Sequence, residues 1–186
     1  MLYICGMRVK KTMTELGRIS TEEFKQAKKL PAILVLDDVR SMQNVGSVFR
    51  TADSFLLEAI YLCGYTPQPP HRDIQKTALG ATETVRWQHF ETTLDAINAL
   101  KKENYCIVSI EQAHQSTWLH TFQPETNLKF AFVFGNEVHG VHDEVIQASD
   151  MVLEIPQLGA KHSLNIAVSV GMVVWQFAQR FLPSLT

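Results

Sequence analysis

The sequence predicts an α/β domain, a mostly parallel β-sheet flanked by helices, within a single chain of 186 residues. Two observations point there. Short apolar runs rich in Val, Ile, Leu and Phe alternate with helical patterns from residue 32 to the end, as when parallel strands are joined by helical crossovers. The polar, glycine-bearing segments 36–53, 132–141 and 155–165 each lie at the carboxyl end of a strand-like run, and open α/β sheets bind ligands beyond the carboxyl ends of their strands.

Taken in order, residues 1–31 read as a basic N-terminal extension. Arg8, Lys10, Lys11, Arg18, Lys25, Lys28 and Lys29 face only Glu15, Glu22 and Glu23 there, so the rest of a chain of net charge −2 is acidic. Such an arm suits contact with nucleic-acid phosphates. A solvated helix is the competing reading, because residues 21–29 offer only Phe24 and Ala27 as apolar groups. Strands are expected at 32–36, 60–63, 85–90, 106–110, 130–134 and 151–155, with helices near 44–55, 72–79, 92–103, 141–148 and 164–181. The Pro-rich run 64–71 forms a loop after the second strand.

Two helices are informative. In 44–55, Val45, Val48, Phe49 and Ala52 make the stripe of a buried face. Asn44, Ser47, Arg50 and Ser54 lie off it, and Asn44 is suited to the N-cap. In 164–181, Leu164, Ala167, Val168, Met172, Trp175 and Phe181 mark one face, and Ile166, Val170, Val173, Val174 and Phe177 fill most of the remainder. A helix apolar nearly all round is buried on more than one side, within the fold or against a second subunit.

Composition excludes several classes. Apolar residues are 46% and charged residues 19%, an ordinary globular balance. Apolar runs such as 131–134 and 170–175 fall far short of the roughly 20 residues a bilayer requires. Cys5, Cys63 and Cys106 are odd in number and scattered, which fits a reducing cytoplasm better than a disulfide framework or a zinc site. Neither a P-loop nor a Gly-x-Gly-x-x-Gly dinucleotide fingerprint is present. Residues 167–171 (Ala-Val-Ser-Val-Gly) imitate a hydrolase nucleophile elbow, but Ser169 falls inside an apolar helical run rather than at a sharp strand-to-helix turn. His139 and His142 have metal-ligand spacing without a third ligand nearby in sequence, so no metal is expected.

The three polar segments matter most in combination. Asn44 and Arg50 follow the first strand as Asn-x(5)-Arg, Gly135, Glu137 and Gly140 follow the fifth as Gly-x-Glu-x-x-Gly, and Ile155-Pro156 is followed by Ser163-Leu164-Asn165. This set resembles the motifs of SpoU-type (TrmH-like) SPOUT RNA methyltransferases over about residues 32–181. The resemblance implies that 32–186 form a SPOUT-type methyltransferase domain with a C-terminal deep trefoil knot. It further implies a homodimer that uses S-adenosyl-L-methionine to methylate a ribose 2′-hydroxyl of structured RNA, tRNA or rRNA. Carried over by position, Asn44, Arg50, Glu137, Ser163 and Asn165 are the catalytic set, and Gly135, Ile155 and Leu164 the cofactor-binding points. Asn136 departs from the family, in which Ser or Ala is common, and no separate RNA-binding domain precedes residue 32. The alternative function is a catalytically inactive knot-fold protein that binds RNA or cofactor.

Overall fold

A computed structural model describes residues 9–12, 15–161 and 163–182; Cys5, Arg8 and His162 lie outside them. The strands are β1 (Leu30–Asp37), β2 (Leu57–Cys63), β3 (Trp87–Phe90), β4 (Tyr105–Ile110), β5 (Thr117–Trp118), β6 (Lys129–Phe134) and β7 (Met151–Glu154). They form one sheet of seven strands in the order β3-β2-β1-β6-β4-β7-β5. Every pairing is parallel. The helices are α1 (Thr21–Gln26), α2 (Met42–Ser54), α3 (Arg72–Ala78), α4 (Ala81–Thr84), α5 (Thr93–Lys102), α6 (Asp143–Ala148) and α7 (Ile166–Ala178).

The central strands read as continuous apolar runs because both faces of the sheet are covered. In β1, Ala32, Leu34 and Leu36 enter one core layer with α2 and α7, while Ile33 and Val35 enter the other with α5 and α6. Its neighbour β6 alternates in the same way, with Phe130, Phe132 and Phe134 on the first face and Ala131 and Val133 on the second. The register Leu34↔Phe132 aligns the two strands. Phe132 packs edge-on against Phe177 of α7, ring centroids 5.4 Å apart, which ties the last helix to the middle of the sheet.

The observed elements extend or trim the expected ones. An edge strand of two residues (β5) and a helix of four (α4) are too short to produce a periodic signal. Val85 closes α4 through its N–H to the Ala81 carbonyl, so β3 begins at Trp87 rather than 85. Ser41, not Asn44, caps α2: its hydroxyl accepts from the Asn44 N–H at 3.2 Å. Helix α7 divides its apolar faces cleanly. Ile166, Val170, Val173, Val174 and Phe177 are buried, whereas Val168, Met172 and Trp175 are 52%, 41% and 50% exposed. Ser169 lies inside α7, away from any strand-to-helix turn.

Candidate functional site

The loops after β1, β4, β6 and β7 converge at the carboxyl edge of the sheet. After β6 the chain folds back on itself: Asn136 and Gly140 exchange two backbone hydrogen bonds of 2.9 Å. The return strand passes so close that a Cβ on Gly135 would lie 2.0 Å from the Gly140 carbonyl carbon and 2.1 Å from the Val141 nitrogen. Only glycine fits there. Asn136 holds the turn, since its Oδ1 accepts from the Val138 and His139 N–H groups at 2.8 and 3.2 Å and its Nδ2 donates to the Asp38 carbonyl at 2.7 Å. The residue that departs from the family pattern is therefore a tie between two loops.

Glu137 is the hub of the motifs. Its Oε2 accepts from Arg40 N–H at 3.0 Å, and its Oε1 accepts from Ser41 N–H at 3.1 Å and from Asn44 Nδ2 at 2.9 Å. Asn44 Oδ1 in turn accepts from Asn165 Nδ2 at 3.1 Å. Asn165 caps α7, its Oδ1 accepting from Ala167 N–H at 2.8 Å. One chain of hydrogen bonds thus joins segments 93 and 121 residues apart. Partial burial of the Glu137 carboxyl acts to raise its pKa, but the donors Arg40, Asn44 and Ser41 outweigh this and hold it below the ordinary carboxylate value.

That direction sets a pH dependence. The stability contributed by the ionised Glu137 is fully present above the ordinary glutamate range and is lost as pH falls through its lower folded value. Glu137→Gln opposes an amide NH₂ to one of the two backbone N–H groups and should cost about 1–3 kcal/mol at pH 7. Urea unfolding across an acid series should show the gap to the unaltered chain closing as pH falls; a gap constant with pH would remove Glu137 from this role.

Gly135, Glu137, Ile155, Ser163, Leu164 and Asn165 all border one open cleft of ≈ 700 Å³. The side chain of Ile155 is buried and Leu164 is 40% exposed. Among the described residues three carboxylates line the cleft (Glu111, Glu137 and Asp143), and no lysine or arginine does. Arg50 does not join it. Six positions beyond Asn44, it borders a neighbouring groove of ≈ 480 Å³ with Ser47, Lys76, Thr77 and Gly171 of α7. Among the described residues its guanidinium has no hydrogen-bond or ion-pair partner.

Two groups escaped the sequence reading. Asp37, at the end of β1 and 1% exposed, accepts from Thr93 Oγ1 and from the His142 N–H and Nδ1, the last two at 3.0 Å. The Asp37 hydrogen bond, then its charge, raises the His142 pKa above the ordinary value. Asp38 completes a cluster whose possible ligand atoms all lie within 4.8 Å. Glu111 follows β4, its Oε1 accepting from Gln112 N–H at 2.8 Å and its Oε2 from Val141 N–H at 3.0 Å. Neither has a local sequence signal, because the partners are brought together only by the sheet.

The model of the SpoU rRNA Methylase family matches residues 31–175. An uncharacterised tRNA/rRNA methyltransferase of Borreliella burgdorferi is 28% identical over 170 residues, covering 91% of this chain and 73% of that protein. A 23S rRNA (guanosine-2′-O-)-methyltransferase of Neisseria meningitidis is 29% identical over 144 residues, 77% of this chain and 56% of its own length. Among solved structures, the AdoMet-bound rRNA methyltransferase of Sinorhizobium meliloti superposes with a TM-score of 0.76 at 25% identity, covering 86% of this chain and 60% of that one. The chain therefore spans between about half and three quarters of the length of these relatives.

Proposed function

Since the chain belongs to the SpoU rRNA Methylase family, we propose that it transfers a methyl group from S-adenosyl-L-methionine to a ribose 2′-hydroxyl of structured RNA, tRNA or rRNA. The observation that carries this reading is that the second and third motif segments border one cleft, with the first tied to both by the bonds from Asn165 through Asn44 to Glu137. The names of the relatives from Borreliella, Neisseria and Sinorhizobium support the same chemistry.

The cleft suits the methyl donor. Carboxylates without a lysine or arginine among them favour a ligand that carries a cationic sulfonium. When bound, S-adenosylmethionine supplies an already activated methyl group, so no metal is required. Gly135, Ile155 and Leu164 would hold it mainly through backbone donors and acceptors, which loop segments leave free from sheet pairing. Glu137 and Asn165 fix the loops that carry those points, and Asn44 links the two. Arg50 and Lys76 border the adjoining groove, and there Arg50 would grip an RNA phosphate with its planar fork and orient the ribose. A guanidinium stays protonated in proteins, so positioning rather than proton removal is its role. Ser163, exposed at the cleft, would contact the ribose.

The assembly is a homodimer in this proposal. The exposed residues Val168, Met172 and Trp175 of α7 are the surplus apolar face an isologous contact would cover, and Gly171 on the same helix borders the Arg50 groove. Pairing through that face would enclose Arg50. Sedimentation should give a dimer for the unaltered chain and a monomer for Trp175→Glu; a monomer in both would sink the idea. The deep trefoil knot formed by the C-terminal segment of domain 32–186, the phosphate-binding role of extension 1–31 and a cytoplasmic location belong to the same reading. The free thiols of Cys63 and Cys106 suit a reducing compartment.

Incubation with labelled methyl donor and separate tRNA and rRNA pools, followed by mapping of the modified nucleotide, tests the activity. A single labelled 2′-O-methyl position is expected. Binding of donor and RNA with no transfer to any pool would instead favour the inactive binding protein.

A further inference from the structure

Glu111 stands apart from the motif residues, yet it lines the same cleft. It follows β4, the strand that lies between β6 and β7 in the sheet, so it sits between the loop carrying Gly135 and the loop carrying Ile155. Its backbone N–H donates to the Leu153 carbonyl at 3.1 Å, which sets its position against β7. Its carboxylate reaches the other way, accepting from Val141 N–H on the return arm of the β6 loop. Gly140 leaves room for it: at φ +71 this residue favours glycine, and a Cβ there would lie 2.2 Å from Glu111 Oε2. The loop is thus shaped around the carboxylate.

What that carboxylate does beyond holding a loop follows from its remaining capacity. An ionised carboxylate accepts at about four lone-pair sites, and one bond to each oxygen is described here, from Gln112 and from Val141. No cation among the described residues pairs with it. The two other carboxylates on the cleft are differently placed. Glu137 is committed to Arg40, Ser41 and Asn44, and Asp143 opens the first turn of α6. Glu111 therefore presents two adjacent oxygens, each with acceptor capacity left, to the cleft.

Resting on the methyltransferase reading, we propose that Glu111 recognises the cofactor's nucleoside by accepting hydrogen bonds from its vicinal ribose hydroxyls. A pair of neighbouring O–H donors matches a pair of neighbouring carboxylate oxygens, and a carboxylate is the general answer of proteins to a ribose diol in a nucleotide site. Discrimination against a nucleoside lacking one hydroxyl follows, because the desolvated oxygen is then left unpaired.

Calorimetry on the full chain, with S-adenosylhomocysteine and its 2′-deoxy and 3′-deoxy analogues, tests this without turnover. The unaltered chain should bind at least one deoxy analogue about 10- to 100-fold more weakly than the parent. In Glu111→Ala the parent should weaken by a similar factor, and the deoxy penalty should shrink to about twofold or less. A merely structural Glu111 would weaken all three ligands equally and leave the penalty intact; that result overturns the proposal. Glu111→Gln, which keeps one acceptor oxygen, should show an intermediate penalty and serves where the alanine variant does not fold. Equal binding of all three ligands by the unaltered chain also overturns it. Absence of any S-adenosylhomocysteine or S-adenosylmethionine binding would instead remove the methyltransferase reading on which it rests.

Discussion

At saturating RNA and cofactor, Arg50→Lys should transfer methyl in a single turnover at least about 100-fold more slowly than the unaltered chain, while binding S-adenosylmethionine equally well. The two halves of this expectation come from different places in the structure. Arg50 borders the groove with Ser47, Lys76 and Gly171, not the cleft with Gly135 and Leu164, so cofactor affinity should not register its loss. Lysine keeps the charge but lacks the planar fork that fixes a phosphate in one orientation, and a misplaced reactant costs roughly two orders of magnitude. RNA affinity should change little for Arg50→Lys and fall further for Arg50→Ala. Equal single-turnover rates would make Arg50 an ordinary surface arginine.

Gly135→Ala should have the largest effect on cofactor binding, lowering affinity at least about 100-fold, or roughly 2.7 kcal/mol. The new methyl would meet the backbone of the return arm, 2.0 to 2.2 Å from atoms of Gly140 and Val141, and backbone has no rotamer with which to yield. The return arm must open, which breaks the Asn136–Gly140 pairing and moves Glu137 away from Arg40 and Ser41. The melting midpoint should fall as well, by about 2–4 °C for each kcal/mol lost in a chain of this size. Gly159→Ala is the matched control, since a Cβ there meets nothing within 4 Å and should leave both quantities nearly unchanged. Unaltered cofactor affinity in Gly135→Ala would show that the loop yields to the methyl at little cost.

The parts of this fold that were legible in the sequence are those whose residues are decided by burial alone. Strands β1 and β6 announce themselves because residues 32–36 and 130–134 must be apolar on whichever face they point to, and α7 because Val170 and Val173 are buried while Val168 and Met172 are exposed. The cap of α2 was misplaced for a different reason. Ser41 and Asn44 are both good cap residues three positions apart, and what separates them is Glu137, which engages the Asn44 side chain from 93 residues away. The motif residues could be assigned by resemblance and most fall on one cleft, but that Arg50 opens onto a neighbouring groove depends on the packing of α2 against α3 and α7. Glu111, Asn136 and the Asp37–His142 pair act across distances of 30 to 105 residues, where no periodicity reaches.

The hydrogen bond from Asn165 to Asn44 spans 121 residues, and it has a consequence for the order in which the protein comes into being. All seven strands are complete by Glu154, so a nascent chain made to that point already holds every strand of the sheet. Chains emerge from the ribosome amino end first. The amide that anchors Asn44, and with it Ser163 and Leu164 at the rim of the cleft, arrives only with the final helix. A product terminated before α7 would lack the finished rim and also the helix whose Phe177 covers one face of the sheet. The rim is therefore finished only after α7 has been made, and a copy truncated before Asn165 would lack the bond to Asn44.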